Sequence, residues 1–460
     1  MRLDNRLCGQ LKLLLAMDKP FSESSAVPSR RGFLRGTVVA SALAIAPGSW
    51  GLPRCTEETL PEVFSRLKPL GERVRPVLAE EYQQRIQHAQ ELMASPKSLT
   101  SPPATIAKYD VLFFAPGTSF YYFTGIHWDS SERLLGLVLP RTGLPILIVA
   151  GFEEGRLRER LKFPIEIRVW QEDESPTKIA AAALADRGIR TGRMGIEETV
   201  RFTFFDHLRE AAPGFELVSA DPVTIGCRAV KSPHELELMR LACEATFDVY
   251  RAVFASLKEG MSQEDIGKLI EGGFSKMGLR GGAMVLLGAS AALPHGSLQP
   301  KTLKEGDVVL IDGDCSVEGY GSDITRTGFF GKPPERVLRA FEIVRKAQDA
   351  ALDAARAGRL SGTVDDAARA VITGAGYGPD YKYFTHRLGH GMGLDEHEHP
   401  YLVRGSKTVL QAGMTFSNEP GIYVPGVFGL RCEDDMVIAA DGPAQLLTPG
   451  FAVSLEKPFG

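Results

Sequence analysis

The chain has 460 residues, of which 44% are hydrophobic and 24% charged, the balance of a soluble globular protein with room for two or three domains. That excludes a disordered, collagen-like or multi-span membrane chain. Lys plus Arg total 53 against 57 Asp plus Glu, a net charge of −4 with no block of five like charges, so no nucleic-acid partner is expected. The six cysteines (Cys8, Cys55, Cys227, Cys243, Cys315 and Cys432) form no CxxC pair, which argues against a disulfide framework or a zinc ribbon.

Ser29-Arg-Arg-Gly-Phe-Leu-Arg35 precedes a short apolar run, Gly36 to Ile45, that Pro47-Gly48 breaks. A basic stretch followed by a short apolar one describes a signal peptide, and the run is too short for a membrane-spanning helix of about 20 residues. The arginine pair with Phe-Leu behind it resembles the twin-arginine export signal. Residues 1–55 are therefore expected to be a leader that engages the twin-arginine export machinery and sends the folded chain to the bacterial periplasm. A leader that does not function would leave it in the cytoplasm.

Residues 56–103 place Leu and Val at helical spacing and end in a Pro/Ser-rich linker. Tyr109–Phe114, Leu134–Leu139 and Pro145–Ala150 are apolar runs bounded by Pro and Gly and read as strands. With a helix over 178–187 they make residues 104–227 a small α/β domain. Phe120 to Phe123 and Trp128 suit a subunit contact or core packing equally well. Ser232, Pro233 and Glu235 are placed as N-cap, N1 and N3 of a long helix, running to about Lys258 and closed by Gly260. Helices over 264–277, 335–357 and 364–374 follow, with strands over 307–312, 323–330, 414–419 and 429–438. They do not alternate one for one, so residues 228–460 are expected to be an α+β domain.

The chemistry lies in this second domain. Four of the nine histidines, His386, His390, His397 and His399, fall within one short stretch. Four predicted strands each carry a carboxylate: Asp312, Asp323, Glu419 and Glu433. Ionised carboxylates in a sheet are costly unless cations offset them. Four carboxylates and one imidazole, each on a different strand or loop, can close around two divalent ions.

These residues and their surroundings resemble the pita-bread metallopeptidases, the family of methionine aminopeptidase, aminopeptidase P and prolidase. The likeness rests on Gly-Tyr-Gly-Ser-Asp323-Ile-Thr-Arg-Thr, on His386-Arg-Leu-Gly-His390-Gly-Met-Gly, on Asn-Glu419-Pro-Gly and on Arg431-Cys-Glu433. Tyr109 to Gly125 is similar to the family's creatinase-like N-terminal domain. The resemblance implies a C-terminal pita-bread catalytic domain behind a smaller α/β domain, with Asp312, Asp323, His390, Glu419 and Glu433 as ligands of two metal ions. Asp323 and Glu433 would bridge them. The hard, oxygen-rich set suits Mn²⁺, with Co²⁺, Fe²⁺ or Zn²⁺ as substitutes.

The implied reaction is hydrolysis of Xaa-Pro peptide bonds, of prolidase or aminopeptidase P type, by a hydroxide held between the ions. Glu419 would also move the proton, His295 and His397 would donate to the reacting group, and His386 and Arg431 would bind substrate. The family implies a homodimer. Two other readings are a creatinase-like or lyase activity on a small non-peptide and a non-catalytic binding protein. Strand alternation puts Arg431 and Glu433 on one side and Cys432 in the core. One departure stands out: the family has Gly two residues after the first Asp, and this chain has Asp314, on the same side as Asp312.

Overall fold

Apolar runs without alternation call for strands covered on both faces, and the computed structural model, which describes residues 60–450 and 454–459, meets that demand in its first sheet. The proposed leader lies outside the described residues. Strands β1 (Val111–Phe114), β2 (Gly136–Pro140), β3 (Ile146–Ala150), β4 (Glu166–Trp170), β5 (Gly192–Ile196) and β6 (Phe215–Ser219) pair in the order β4-β3-β2-β1-β5-β6. Helix α1 (Ala79–Ala94) lies on one face, where Leu112, Phe114, Leu147 and Val149 share a core with Tyr82, Ile86 and Met93. On the other face Val111, Phe113, Ile146 and Ile148 pack with Ala180, Ala183 and Leu208.

Two short helices, α2 (Thr118–Thr124) and α3 (Glu154–Arg158), follow β1 and β3. Helices α4 (Pro176–Asp186), α5 (Phe202–Ala211) and α6 (Asp221–Arg228) complete the domain. The sequence did not announce β4, β5 and β6, because they carry Arg, Glu and Gly among their apolar residues. Two of them, β4 and β6, are the edges of the sheet, where charged side chains are tolerated. Phe120 and Phe123 are buried in the core, and Trp128 lies under the guanidinium groups of Arg156 and Arg160 at 4.7 and 5.2 Å.

Helix α7 (Pro233–Phe254) begins on the expected capping box: Ser232 Oγ accepts from the Glu235 amide at 3.2 Å, and the Glu235 carboxylate accepts from the Ser232 amide at 2.6 Å. It stops four residues before Lys258. Gly260, with φ of +87°, instead turns the chain and donates its amide to the Leu303 carbonyl. Helix α8 (Gln263–Lys276) joins α7 against the sheet β10-β8-β7, made of β7 (Gly281–Leu287), β8 (Val308–Val317) and β10 (Ile324–Phe329). The two-residue β9 (Tyr320–Gly321) pairs with β8.

Helices α9 (Glu335–Ala354) and α10 (Gly362–Gly374) share the core of the second sheet, ordered β12-β11-β13-β16-β17. Its strands are β11 (Gly389–Gly391), β12 (Glu398–Leu402), β13 (Thr415–Asn418), β16 (Asp434–Val437) and β17 (Gln445–Leu446). A hairpin of β14 (Gly421–Val424) and β15 (Phe428–Arg431) completes the set.

One expectation is corrected. The single strand over 429–438 is two strands, β15 and β16, in different sheets. Between them the Glu433 amide donates to the Thr325 carbonyl at 3.2 Å, so the chain leaves its hairpin, touches β10 and then joins β13. The two sheets are tied at that point by Arg326, which is fully buried and donates to the carbonyls of Thr325, Glu433 and Gly450 and to Asp434 Oδ1.

Buried charge also joins the two domains. Arg85 on α1 donates to the Tyr122 carbonyl, to Glu235 and to the Tyr320 hydroxyl. Arg228 and Lys231 converge on Glu398, and Arg228 also reaches Asp395 at 2.6 Å.

Candidate metal centre

The two sheets and the hairpin turn one side each toward a cavity of about 610 Å³. Asp312 lies within β8, Asp323 just before β10, His390 in β11, Glu419 just after β13 and Glu433 just before β16. All five line the cavity. Three overlapping groups have donor atoms within 4.8 Å of one another: Asp312, Asp323 and Glu433; His390, Glu419 and Glu433; and Asp323, His390 and His397. Asp323, His390 and Glu433 each fall in two of the groups.

Hydrogen bonds aim these groups. The Thr325 hydroxyl lies 2.7 Å from Asp312 Oδ1 and 2.6 Å from Glu433 Oε2, and it accepts from Arg431 Nε at 3.0 Å. Arg431 forms an ion pair with Asp312 and donates to the Tyr423 hydroxyl at 2.8 Å. The Asp323 amide is held by Asp435 Oδ2 at 2.9 Å. His390 Nδ1 donates to the Gly391 carbonyl at 3.1 Å, which turns an unprotonated Nε2 toward Asp323 and Glu419, both 3.4 Å away. That tautomer is the one a metal-ligating histidine needs.

The electrostatics describe a site short of positive charge. Burial, with the neighbouring carboxylates, holds Asp323 and Glu433 well above the usual carboxylate range. Burial pushes Glu419 up to about 8. Asp312 is buried too, but the Arg431 guanidinium and the Thr325 hydrogen bond outweigh burial and keep it below its ordinary value. Burial, with His397 beside it, takes His390 down to about 3, so the imidazole is neutral at pH 7. Carboxylates this costly to ionise, set around a neutral imidazole, are a donor set that divalent cations would satisfy. The residues therefore fit a pair of hard ions.

His295 and His397 line the cavity, and the His397 ring lies edge-on to His390 at 4.0 Å. Arg431 and His386 both line the cavity. Arg431 pairs with Asp312. His386 Nδ1 donates to the Arg387 carbonyl at 2.8 Å, and its Nε2 lies 2.7 Å from the Tyr423 hydroxyl.

Asp314 lines the cavity beside Asp312 but joins none of the three donor groups. Burial, with the Glu396 and Asp312 charges, raises it to about 6. Cys432 is buried in the core with its thiol pushed up to about 12 by burial. Away from the cavity, His234 bonds Glu81 and the Arg75 carbonyl, and His127 stacks on Tyr121.

Thr325, Tyr423, Asp435, Arg387 and Glu396 were not foreseen. Thr325 had a signal, since it is two residues past Asp323 and shares its side of the strand. Asp435, two residues past Glu433, had the same signal; Tyr423, Arg387 and Glu396 carried none.

Comparison with known proteins agrees with this geometry. Residues 237–440 match the model of metallopeptidase family M24, and residues 104–230 match the creatinase/prolidase N-terminal domain. The chain is 34% identical over 344 residues to a putative dipeptidase of Bacillus subtilis, covering 74% of this chain and 94% of that one. It is 32% identical over 340 residues to an Xaa-Pro dipeptidase of Pyrococcus horikoshii, covering 73% and 92%. The crystal structure of dipeptidase PepE from Mycobacterium ulcerans superposes with a TM-score of 0.74 at 31% identity, over 82% of this chain and 98% of that one. With its carboxylate-rich centre behind a creatinase-type domain, this chain is a peptidase that belongs to metallopeptidase family M24.

Proposed function

We propose that this chain hydrolyses the peptide bond that precedes proline near a peptide's amino end, using two divalent ions, Mn²⁺ by preference. The observation that carries the reading is the convergence of Asp312, Asp323, His390, Glu419 and Glu433 in overlapping groups of donor atoms. The resemblance of 73% of this chain to a relative named Xaa-Pro dipeptidase supports the choice of proline.

Asp312, Asp323 and Glu433 would hold one ion, and His390 and Glu419 would complete the shell of the other. When bound, such a pair lowers the pKa of water and polarises a carbonyl. The remaining work falls to the side chains. Glu419, ionised once bound cations offset its burial, would take a proton from the attacking water and pass it to the leaving proline nitrogen. His295 and His397 donate to the oxygen of the tetrahedral carbon as its charge develops. Arg431, fixed by Asp312 and Tyr423, keeps Thr325 between the two carboxylates it aligns.

The test is proline release from Xaa-Pro and Xaa-Pro-Xaa peptides by protein from about residue 56 onward, quantified for metal and supplied with Mn²⁺, with Glu419→Ala as control. Release that needs metal and vanishes in the variant is the expected result. A protein with two metals bound that cleaves no Xaa-Pro bond would end the proposal.

A further inference from the structure

His397 reaches the cavity from a loop, and the loop is held from the other domain. Residues 392–397 carry the chain from β11 into β12, whose ladder closes with Gly391 opposite Glu398. Glu396 and His397 line the catalytic cavity. Asp395 and Glu398 instead line a cleft of about 40 Å³ that they share with Ser119 of α2 and Arg228 of α6, and His397 stands between the two. Among the described residues the His397 ring meets His390 edge-on and has no hydrogen-bond partner. Its place therefore follows that of the residues on either side of it.

Those residues are tied to the first domain. Arg228, the last residue of α6, donates to Asp395 at 2.6 Å and also pairs with Glu398. It donates to Ser119 Oγ at 3.2 Å as well. Thr118, the first residue of α2, donates its hydroxyl to Asp395, and Lys231 donates to Glu398. The side chains of Arg228, Lys231 and Glu398 are at most 10% exposed, and ion pairs so placed are screened far less than those at the surface. The loop's own sequence makes room for them. A Cβ on Gly393 would meet Lys231 Cε at 2.8 Å and Glu398 Oε1 at 2.9 Å, so a side chain there would part the pair.

We propose that Arg228 and Asp395 are positioning residues for His397, through which the first domain sets the hydrogen bond that His397 gives to the reacting group. Neither lines the catalytic cavity, so both act through the loop. The proposal rests on the proposed role of His397 as a donor to the tetrahedral oxygen. A shift of about 1 Å at a catalytic group slows a reaction by about a hundredfold. Release of Asp395 should therefore act on kcat and leave substrate and metal binding in place.

The test is a double-variant cycle on the metal-loaded protein: wild type, Asp395→Ala, His397→Ala and both together, with kcat, KM, bound metal and thermal midpoint measured for each. Asp395 is the partner to change because its side chain is 39% exposed, so its loss disturbs the buried charges less than the loss of Arg228. Asp395→Ala should lower kcat about tenfold or more, with KM and metal content within about twofold. In the His397→Ala background the same change should lower kcat by less than about twofold. Asp395→Asn, which keeps an acceptor for Thr118, should recover part of the rate.

An equal further loss in the His397→Ala background would overturn the proposal, as would a loss that falls on KM or metal content, or an Asp395→Ala protein as active as the wild type. If Asp395→Ala does not fold, Thr118→Val alone and with His397→Ala closes the same cycle. A His397→Ala protein as active as the wild type would reject both the role of His397 and the pair that serves it. Peptides with and without proline separate the two readings. Coupling of Asp395 with His397 on peptides that lack proline, with no cleavage of Xaa-Pro, would keep the positioning pair and reject proline. Cleavage of Xaa-Pro with additive losses would keep proline and reject the pair.

Discussion

Replacing Arg326 by Met should separate the two sheets that carry the metal-site carboxylates. The guanidinium lies fully buried between β10 and β16, with donors on the carbonyls of Thr325, Glu433 and Gly450 and on Asp434 Oδ1. Removing one partner of a buried ion pair costs about 3–5 kcal/mol. The low end applies to Asp434, because Gln348 Nε2 and Thr448 Oγ1 still donate to it at 2.8 and 2.9 Å. The Glu433 and Gly450 carbonyls lose these donors, at about 1 kcal/mol or more each. A loss of about 5 kcal/mol is the result, comparable with the whole stability of a marginal domain, which is about 5–15 kcal/mol.

Urea unfolding followed by circular dichroism measures it. Isothermal titration with Mn²⁺ should show weakened binding in the same variant, since Glu433 and Asp323 flank the severed contact. Adding Asp434→Asn removes the uncompensated charge and should recover part of the loss. A loss under about 1 kcal/mol, or a double variant no more stable than the single one, would refute the reasoning.

Three further outcomes follow from the site and the leader. In the metal-free protein burial holds Glu419 and Asp435 near 8, against unfolded values near 4, so the fold binds protons that the unfolded chain has released. Their stabilisation is complete below pH 4 and is lost as pH rises through 8, by up to about 1.4 kcal/mol per pH unit for each proton. Near pH 6.5 His386 and His390, both held near 3, oppose this slope, because their unfolded imidazoles are about half protonated there; above about pH 7.5 they are neutral in either state and add little. The thermal midpoint of chelator-treated protein should therefore fall between about pH 7.5 and 8.5, and a rise would contradict the assignment. Tyr423→Phe should lower kcat/KM about tenfold and stability by about 1–3 kcal/mol, because Arg431 and His386 both lose a buried partner; unchanged values of both would show that the pair is idle. A reporter fused to residues 1–55 should be exported by the twin-arginine route and retained after Arg30→Lys with Arg31→Lys; export that ignores the change would reject the leader.

Much of the architecture was legible because its causes are local. The capping box of Ser232 and Glu235 sits within four residues, and the doubly buried strands β1, β2 and β3 announce themselves as unbroken apolar runs. The five candidate ligands and their order were legible for another reason: their motifs resemble those of one family. The strands β4 to β6 were missed because Arg, Glu and Gly dilute their apolar pattern; β4 and β6 are edges, where charge is tolerated.

The sequence by itself determined which residue types are available to hold metal and on which elements they lie. Only the tertiary structure decided what they touch. Arg431 pairs with Asp312 across 119 residues of chain, and no local pattern foretells a contact closed by two sheets meeting. Tyr423 meets both His386 and Arg431, from segments 37 and 8 residues away. The strand expected over 429–438 breaks because its two halves have different partners, β14 on one side and β13 on the other. Periodicity speaks for one chain segment at a time, whereas pairing, burial and the charge a site must bind depend on segments that meet only in the folded chain.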